Sequence, residues 1–440
     1  MFGFCAKIKN IQMSFLYFIA EVMQTIVKRL WLVVGSYQYD RNRRKSNKKK
    51  SYLLQKTLIS LVLVIALLFN AVYVVYNSFM SQINFVEPPS NSDISFTDFD
   101  VSYTDLEDDS DNIPEDVIVS TEDVTLYLLV GSDSRIGTDA QSRSDSLIIA
   151  AVDRKHKKIK LISLMRDMLV KIPGKGYNRI NAAYSFDSGR KDMTLSYTRK
   201  TIKDNFGIDV EKLVVIDFTG FKKIIDMMGG VEMTLNAAEA KYMCSHKVYG
   251  KFPRFSKGAG KYTLSGAEAL NYARMRKVGN SDFERTERQR KMISAMINKM
   301  KDQSYIKMAS MIHEALGYVI TNVSQNEILG LAWDAPNLLN YEIVQYRIPV
   351  DGTFKFKSVI IGGTTCSILW ANYKWNATHL KSFIYDDDMT YANSKKKAKA
   401  TIPYLPNSVK EAQKPTTTTQ ASGGDTKNTE AQAQSLDNAA

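Results

Sequence analysis

The stretch GSDSRIGTDAQSRSDSLIIAAVD, Gly131 to Asp153, decides the fold class. It sets Asp133, Arg135, Arg143 and Asp145 in and around one loop and then runs straight into an apolar segment. SDSLIIAAVD, bounded by turn residues and without helical spacing, reads as a buried strand. Taken alone, the mixed charges before it fit a solvated turn, because Asp and Ser serve turns well. Their meaning depends on the rest of the chain.

Working outward, VTLYLLVGSD precedes this run and KIKLISLMRD follows it, and KLVVIDF, GVEMTL and NYEIVQYRIPV recur later. All read as strands of a sheet. Between them KDMTLSYTRKTIKDNF and FTGFKKIIDMMGG have helical spacing, the second ending on Gly229 and Gly230, where a helix terminus favours glycine. LSGAEALNYARMR and DFERTERQRKMISAMINKM are further helices. Interleaved strands and helices predict an α/β domain over residues 124–385, a central mixed β-sheet flanked by helices.

The 440 residues exceed what that domain needs. Thr57 to Tyr76, TLISLVLVIALLFNAVYVVY, has no charge and matches the ~20 residues of a membrane-spanning helix. It starts far from Met1 and lacks an evident cleavage site, so it reads as a permanent anchor rather than a signal peptide. Seven cations in Arg41 to Lys50 precede it and favour the cytoplasmic side, which puts residues 1–56 inside and everything after Tyr76 outside. Ile11 to Val34 is apolar but broken by Glu21, Lys28 and Arg29, as in a helix lying at the inner interface. Residues 77–123 are acidic and read as a stalk, and residues 386–440 as a disordered tail. The expected localisation is the cell membrane, single-pass, with the folded domain extracellular. The formal charge of +13 would by itself suit nucleic acid, but this topology excludes a DNA-binding role. Cys5, Cys244 and Cys366 match no zinc or redox spacing, and a domain of this size needs no Cys244–Cys366 staple.

No HExxH, Walker A or GxSxG motif occurs in the outer domain, and His156, His246, His313 and His379 lack partners at ligand spacing. What remains is carboxylate and guanidinium, the inventory for positioning a metal and neutralising phosphate oxygens. Asp133 closes one strand run and Asp145 opens the next, so as neighbouring strands they would point both carboxylates into one mouth, and Arg166, ending a third run, would reach the same edge if that strand pairs alongside. Arg274 and Arg276, two apart, mark a helix leaving its regular path. Arg285 and Gln289 share a helix face that continues through Met292, Met296 and Met300, so one stripe begins ionic and ends oily. The bland alternative is an amphipathic core helix with a solvated first turn. A lipid pyrophosphate is the ligand that would use both ends of the stripe. KGYNRINAAY adds Arg179, Asn181 and Tyr184 near a helix start, where Asn serves most often as a cap.

In combination and order, GSDSR, RSDSLIIA, SLMRDMLVKIPG, RINAAY, VVIDFTGF, MMGGVEM, LSGAEALNYARMR and DFERTERQR resemble the LytR-CpsA-Psr family of membrane-anchored cell-wall glycopolymer ligases, from about Val124 to Arg290 and more weakly to Tyr385. The resemblance implies a phosphotransferase moving a polyprenyl-pyrophosphate-linked glycopolymer, such as teichoic acid or capsule, onto a muramic-acid hydroxyl of peptidoglycan and releasing polyprenyl phosphate. It implies that Asp133 and Asp145 hold Mg²⁺ (or Mn²⁺) against the pyrophosphate, that Arg143 and Arg166 bind its oxygens, and that Arg135, Arg274, Arg276, Arg285 and Gln289 complete substrate binding. Two departures stand out: Met165 replaces the family's frequent Pro in SLMRD, and YSFDSG lacks the double glycine that often follows NAAY. Neither removes a charged site residue. The alternative function is a non-catalytic module that carries polyprenyl-linked polymer or free polyprenyl phosphate.

Overall fold

The computed structural model describes residues 123–133, 143–188, 195–245, 252–279, 281–392 and 396–412, with scattered positions between 65 and 85. The expected segments 1–56 and 57–76, the interfacial helix at 11–34, most of the stalk and the chain after 412 lie outside these, apart from isolated helical positions in the span. Among the described residues no helix is long and apolar enough to cross a membrane. The chain divides after Ser78; the description below concerns the second unit.

The elements run β1 (Asn84–Phe85), β2 (Val124–Ser132), β3 (Ser144–Asp153), β4 (Lys158–Leu164), β5 (Leu169–Ile172), β6 (Gly176–Arg179), α1 (Asn181–Ser188), α2 (Ser196–Phe206), β7 (Lys212–Asp217), α3 (Phe218–Met227), β8 (Val231–Leu235) and α4 (Ala237–Ser245). A 3₁₀ turn (Pro253–Lys257) leads to β9 (Gly260–Leu264), α5 (Gly266–Arg274), α6 (Ser281–Lys301), α7 (Tyr305–Leu316), β10 (Val319–Thr321), α8 (Gln325–Leu338), β11 (Glu342–Ile348), β12 (Phe354–Ile361), β13 (Thr364–Ala371) and α9 (Tyr373–Tyr385). Seven strands form one mixed sheet in the order β1-β10-β7-β2-β3-β4-β11. The fold is the expected α/β class, a mixed central sheet flanked by helices.

Strand alternation divides the core. Leu126, Leu128 and Val130 of β2 face one side with Leu147 and Ile149 of β3, where Ala183, Phe206 and Phe383 of α1, α2 and α9 cover them. Tyr127, Ile148, Ala150 and Leu161 face the other side, against Leu316 of α7 and Ile328 of α8. A strand buried on both faces needs apolar residues at successive positions, which is why SLIIAAV carries no solvent-facing alternation. A third cluster joins α3, β8, α4, α5 and α6 around Ile225, Met233, Met243, Tyr272 and Met292. In it Gly266 starts α5 directly against α3, where a Cβ would meet the Lys222 carbonyl oxygen at 2.2 Å.

Two expectations are corrected. GVEMTL forms β8, but β8 pairs only with β9 in a separate ribbon, outside the central sheet. Its alternating burial, with Glu232 and Thr234 exposed, suits a ribbon with one wet face. Order also extends past Tyr385: Ile402, Leu405 and Val409 pack against β12 and β13. The Trp370 indole donates to the Pro403 carbonyl at 2.7 Å, and Glu411 bridges to Val359. Sparse but spaced apolar residues suffice there because the hairpin supplies the partner surface. Cys244 and Cys366 are free thiols.

Candidate active site

Strands β2, β4, β7 and β11 run the same way, so their carboxyl ends, Ser132, Leu164, Asp217 and Ile348, meet at one edge of the sheet. Open α/β sheets bind ligands outside such an edge. Gly131 faces Ser146 while Ser132 faces Ser144, so Asp145 is the extra residue of a β-bulge. A bulge re-aims its side chain. The β3–β4 register pairs Ile148 with Ser163, and carried three residues further it sets Arg166 opposite Asp145. Arg166 Nη1 lies 3.6 Å from Asp145 Oδ1.

Around this pair the chain gathers charges from distant segments. Arg274 Nη2 is 3.3 Å from Asp145 Oδ2 and Arg276 Nη2 is 3.6 Å from Asp145 Oδ1. Arg166 Nε donates to Asp282 Oδ2 at 3.0 Å and is 3.4 Å from Asp167 Oδ2. Arg179 Nη1 donates to Asp167 Oδ1 at 3.3 Å, and Arg285 Nη1 is 3.3 Å from Asp282 Oδ1. The two arginines of ARMR reach the site because α5 ends at Arg274 and Met275 turns extended (φ −59°, ψ 122°). Buried Arg288 holds that turn, donating to the Met275 carbonyl at 2.8 Å, the Val278 carbonyl at 2.6 Å and Glu239 at 2.9 Å.

Arginines 166, 179, 274, 276 and 285 outnumber aspartates 145, 167 and 282, which leaves an excess of positive charge. Arg285 carries the strain of that excess: it is 2% exposed, and its guanidinium is pushed down to about 10 by burial and then by repulsion from Arg166, Asp282 opposing. None of its three nitrogens makes a hydrogen bond within the protein. For Arg166, burial would lower the pKa, but Asp167, Asp282 and Asp145 raise it above the ordinary value. Burial lifts the Asp167 carboxyl, against Arg166 and aided by a hydrogen bond with Asp282. Asp282 moves the other way: although burial opposes, Arg285, Asp167, Arg166 and Arg276 hold it below the usual carboxylate range.

Beside the cluster opens a cavity of about 430 Å³. Its walls are apolar, with Phe221, Ile224 and Met228 from the α3 segment and Met292, Met296 and Met300 from α6. Asp145 and Arg274 belong to both cluster and cavity, and Gln289 lines the cavity with its Oε1 buried and unbonded. The α6 stripe thus runs from Arg285 in the ionic cluster through Gln289 to methionines in the cavity wall. Ser144 Oγ and Asn181 Oδ1 are also buried without a hydrogen bond. Buried polar atoms left unsatisfied in a folded protein call for an explanation, and a bound ligand is one.

The structure therefore brings Asp145, Arg166, Arg274, Arg276 and Arg285 together and puts Gln289 next to them. Asp133 and Arg143 sit exposed at the ends of β2 and β3, and Asp133, with Asp187 and Asp217, adds to a rise of the Tyr184 phenol that burial begins. Arg135 lies outside the described residues. Asp282 and Asp167 are the members that the sequence reading did not single out; Arg179, noted there beside a helix start, joins them through Asp167. The signal for the two aspartates was adjacency, since Asp167 follows Arg166 and Asp282 precedes Arg285 by three on one helix.

The donor set fits a hard divalent cation only in company with an anion. Asp145 offers carboxylate oxygens, and Asp133 stands one residue past Ser132, which faces Ser144. Three guanidiniums already face Asp145, so a cation there needs phosphate oxygens to complete its shell, the usual habit of Mg²⁺. Asp153, His156 and Asp387 also come together. Lys160 Nζ lies 2.7 Å from Asp153 and 3.1 Å from Asp387, so an ammonium already occupies that group.

The LytR_cpsA_psr family model matches residues 97–374. Regulatory protein MsrR of Staphylococcus aureus is 30% identical over 263 residues, 59% of this chain and 74% of that protein. Polyisoprenyl-teichoic acid–peptidoglycan teichoic acid transferase TagT of Bacillus subtilis (strain 168) is 33% identical over 248 residues, 54% of this chain and 72% of that protein. A crystal structure of B. subtilis TagT aligns with a TM-score of 0.44 at 26% identity, covering 60% of this chain and 91% of that one.

Proposed function

The chain belongs to the LytR_cpsA_psr family, and from that premise we propose that it is a transferase which moves a glycopolymer from a polyprenyl pyrophosphate to a hydroxyl of peptidoglycan, outside the membrane that anchors it. The observation that carries this reading is Arg285: a buried guanidinium with no hydrogen bond, one helix turn before Gln289 in the wall of an apolar cavity. A pyrophosphate supplies the missing acceptors, and its prenyl chain fills the methionine-lined space. TagT, named as a transferase of this kind, adds weight.

Arg166, Arg274, Arg276 and Arg285 grip the pyrophosphate oxygens and take up charge that grows as the phosphorus–oxygen bond breaks. Asp145 and Asp282 hold those guanidiniums apart and in place. The acceptor hydroxyl attacks the polymer-side phosphorus, polyprenyl phosphate leaves, and a phosphodiester forms, with the pyrophosphate bond supplying the energy. Asp167, whose affinity for a proton is raised, is the carboxyl of the cluster best matched to take the hydroxyl proton. Asp133 and Asp145 would hold Mg²⁺ or Mn²⁺, which when bound neutralises phosphate charge as a Lewis acid.

The test uses the full chain in detergent with a synthetic polyprenyl-pyrophosphoryl sugar, peptidoglycan oligomers and Mg²⁺. The expected result is release of polyprenyl phosphate with sugar joined to glycan, reduced on the order of 100-fold or more in Arg166→Ala, as for loss of one preorganised donor. Tight lipid binding without turnover under any acceptor or metal would leave a carrier and overturn the transferase.

A further inference from the structure

The hairpin of β12 and β13 has one sealed face and one open one. On the sealed face Val359 is fully buried with Ile368 and Trp370, under the chain around Ile402 and Leu405. On the open face Phe356 is 65% and Ile360 42% exposed. The open face continues into the candidate active site. Phe354 stacks on Phe283 at 5.5 Å between ring centroids and 24° between planes. Phe356 meets both rings edge-on, at 5.8 Å from Phe354 and 6.1 Å from Phe283. Phe283 is the next residue after Asp282, and the Arg347 guanidinium lies over its ring at 4.4 Å.

Resting on the transferase reading, we infer that the strip Phe283–Phe354–Phe356–Ile360 is the docking surface for the acceptor glycan strand. Sugar rings present C–H faces with hydroxyls at the rim, and the negative face of an aromatic ring attracts such C–H groups. The strip is narrow: Ser358 interrupts it between Phe356 and Ile360, and Thr365 lies opposite Ile360, hydroxyls that suit the rim of a sugar, and it is too thin for a dimer interface of ~800 Å² per partner. Among the described residues nothing covers Phe356 or Ile360, which stay exposed.

Geometry selects acceptor over donor. In phosphoryl transfer the attacking oxygen approaches in line with, and opposite to, the leaving oxygen. The leaving polyprenyl phosphate points into the cavity, which is built on the β10, β7, β2 and β3 part of the sheet. The strip begins at Phe283 against Arg347 of β11, the far edge strand, with the arginine cluster between.

The experiment measures cosedimentation of the full chain in detergent micelles with purified glycan strands stripped of peptide and polymer, alongside acceptor and donor kinetics. Phe356→Ala and Ile360→Ser, checked for unchanged melting, weaken strand binding and raise the acceptor KM about tenfold, the size expected for losing one stacked ring. Phe356→Trp restores both, and the donor KM does not move. Unchanged strand binding in Phe356→Ala overturns the inference, as does a rise confined to the donor KM or loss of a dimer. The binding arm needs no turnover. Strand binding lost in Phe356→Ala by a protein that never transfers would keep the docking surface and sink the transferase, and transfer with strand binding unaltered would do the reverse.

Discussion

Arg285 shows how a functional residue can be a structural burden. A buried guanidinium without hydrogen bonds costs several kcal/mol, which the 3.3 Å ion pair with Asp282 offsets only in part. Replacing it with glutamine is therefore expected to leave thermal stability unchanged or raise it, because repulsion with Arg166 and Arg276 disappears. The same change should weaken prenyl pyrophosphate binding about 10- to 100-fold, the value of one or two charge-assisted hydrogen bonds. Calorimetric titration with a short-chain prenyl pyrophosphate and a thermal melt check the two halves together. A variant that loses both stability and affinity would mark Arg285 as an ordinary core ion-pair member through Asp282. Arg288 is the contrast: equally buried, but bonded to two carbonyls and Glu239. From sequence the two arginines, three apart in ERTERQR, are indistinguishable in type; only the partners separate them.

At the scale of elements, α6 joins the two halves of the site because its period carries one face from charge to methionine. That stripe was readable as spacing, Arg285, Gln289, Met292, Met296 and Met300, and the structure puts the last four in the cavity wall. Filling the cavity should therefore separate tail from head. Met296→Trp is expected to reduce affinity for a long prenyl pyrophosphate at least tenfold while binding of inorganic pyrophosphate is retained; overpacking of a core costs about 1–3 kcal/mol, whereas an open cavity accepts the ring. Equal loss of both ligands would show that the cavity and the cluster do not serve one molecule. Other elements were less legible. GVEMTL has the alternation of a strand, but no local signal says which sheet it joins, and it pairs with β9 instead. Asp282 and Asp167 were visible only as neighbours of arginines, since side-chain pairing across 116 residues leaves no periodic trace.

For the whole molecule, one buried ion network ties the end of the domain to the sheet. Lys160 in β4 is fully buried between Asp153 and Asp387, donates to the Ile384 carbonyl at 2.9 Å, and Lys158 also pairs with Asp387. Burial would raise both carboxyls, but the lysines outweigh it and hold them below the ordinary value, His156 helping at Asp153. A pKa lower in the folded than the unfolded state adds stability that is present above the unfolded value, near pH ~4, and is lost as pH falls through the folded one. Melting temperature should thus hold from neutrality to about pH 5 and fall below about pH 4. Asp153→Asn, which strands part of a buried ammonium, should cost about 3 kcal/mol at neutral pH and flatten the acid fall; an unchanged melt in that variant would show that the network contributes nothing. The sequence by itself determined the α/β class, five of the seven strand runs of the central sheet and the amphipathic stripe of α6, because apolar periodicity is a local property of consecutive residues, whereas the short β1 and β10 carry too few residues to show one. Only the tertiary structure decided the strand order, the bulge that turns Asp145 toward Arg166, and the meeting of charges from β3, β4, α5 and α6, because these depend on which segments pack together and the chain does not encode that in any one window.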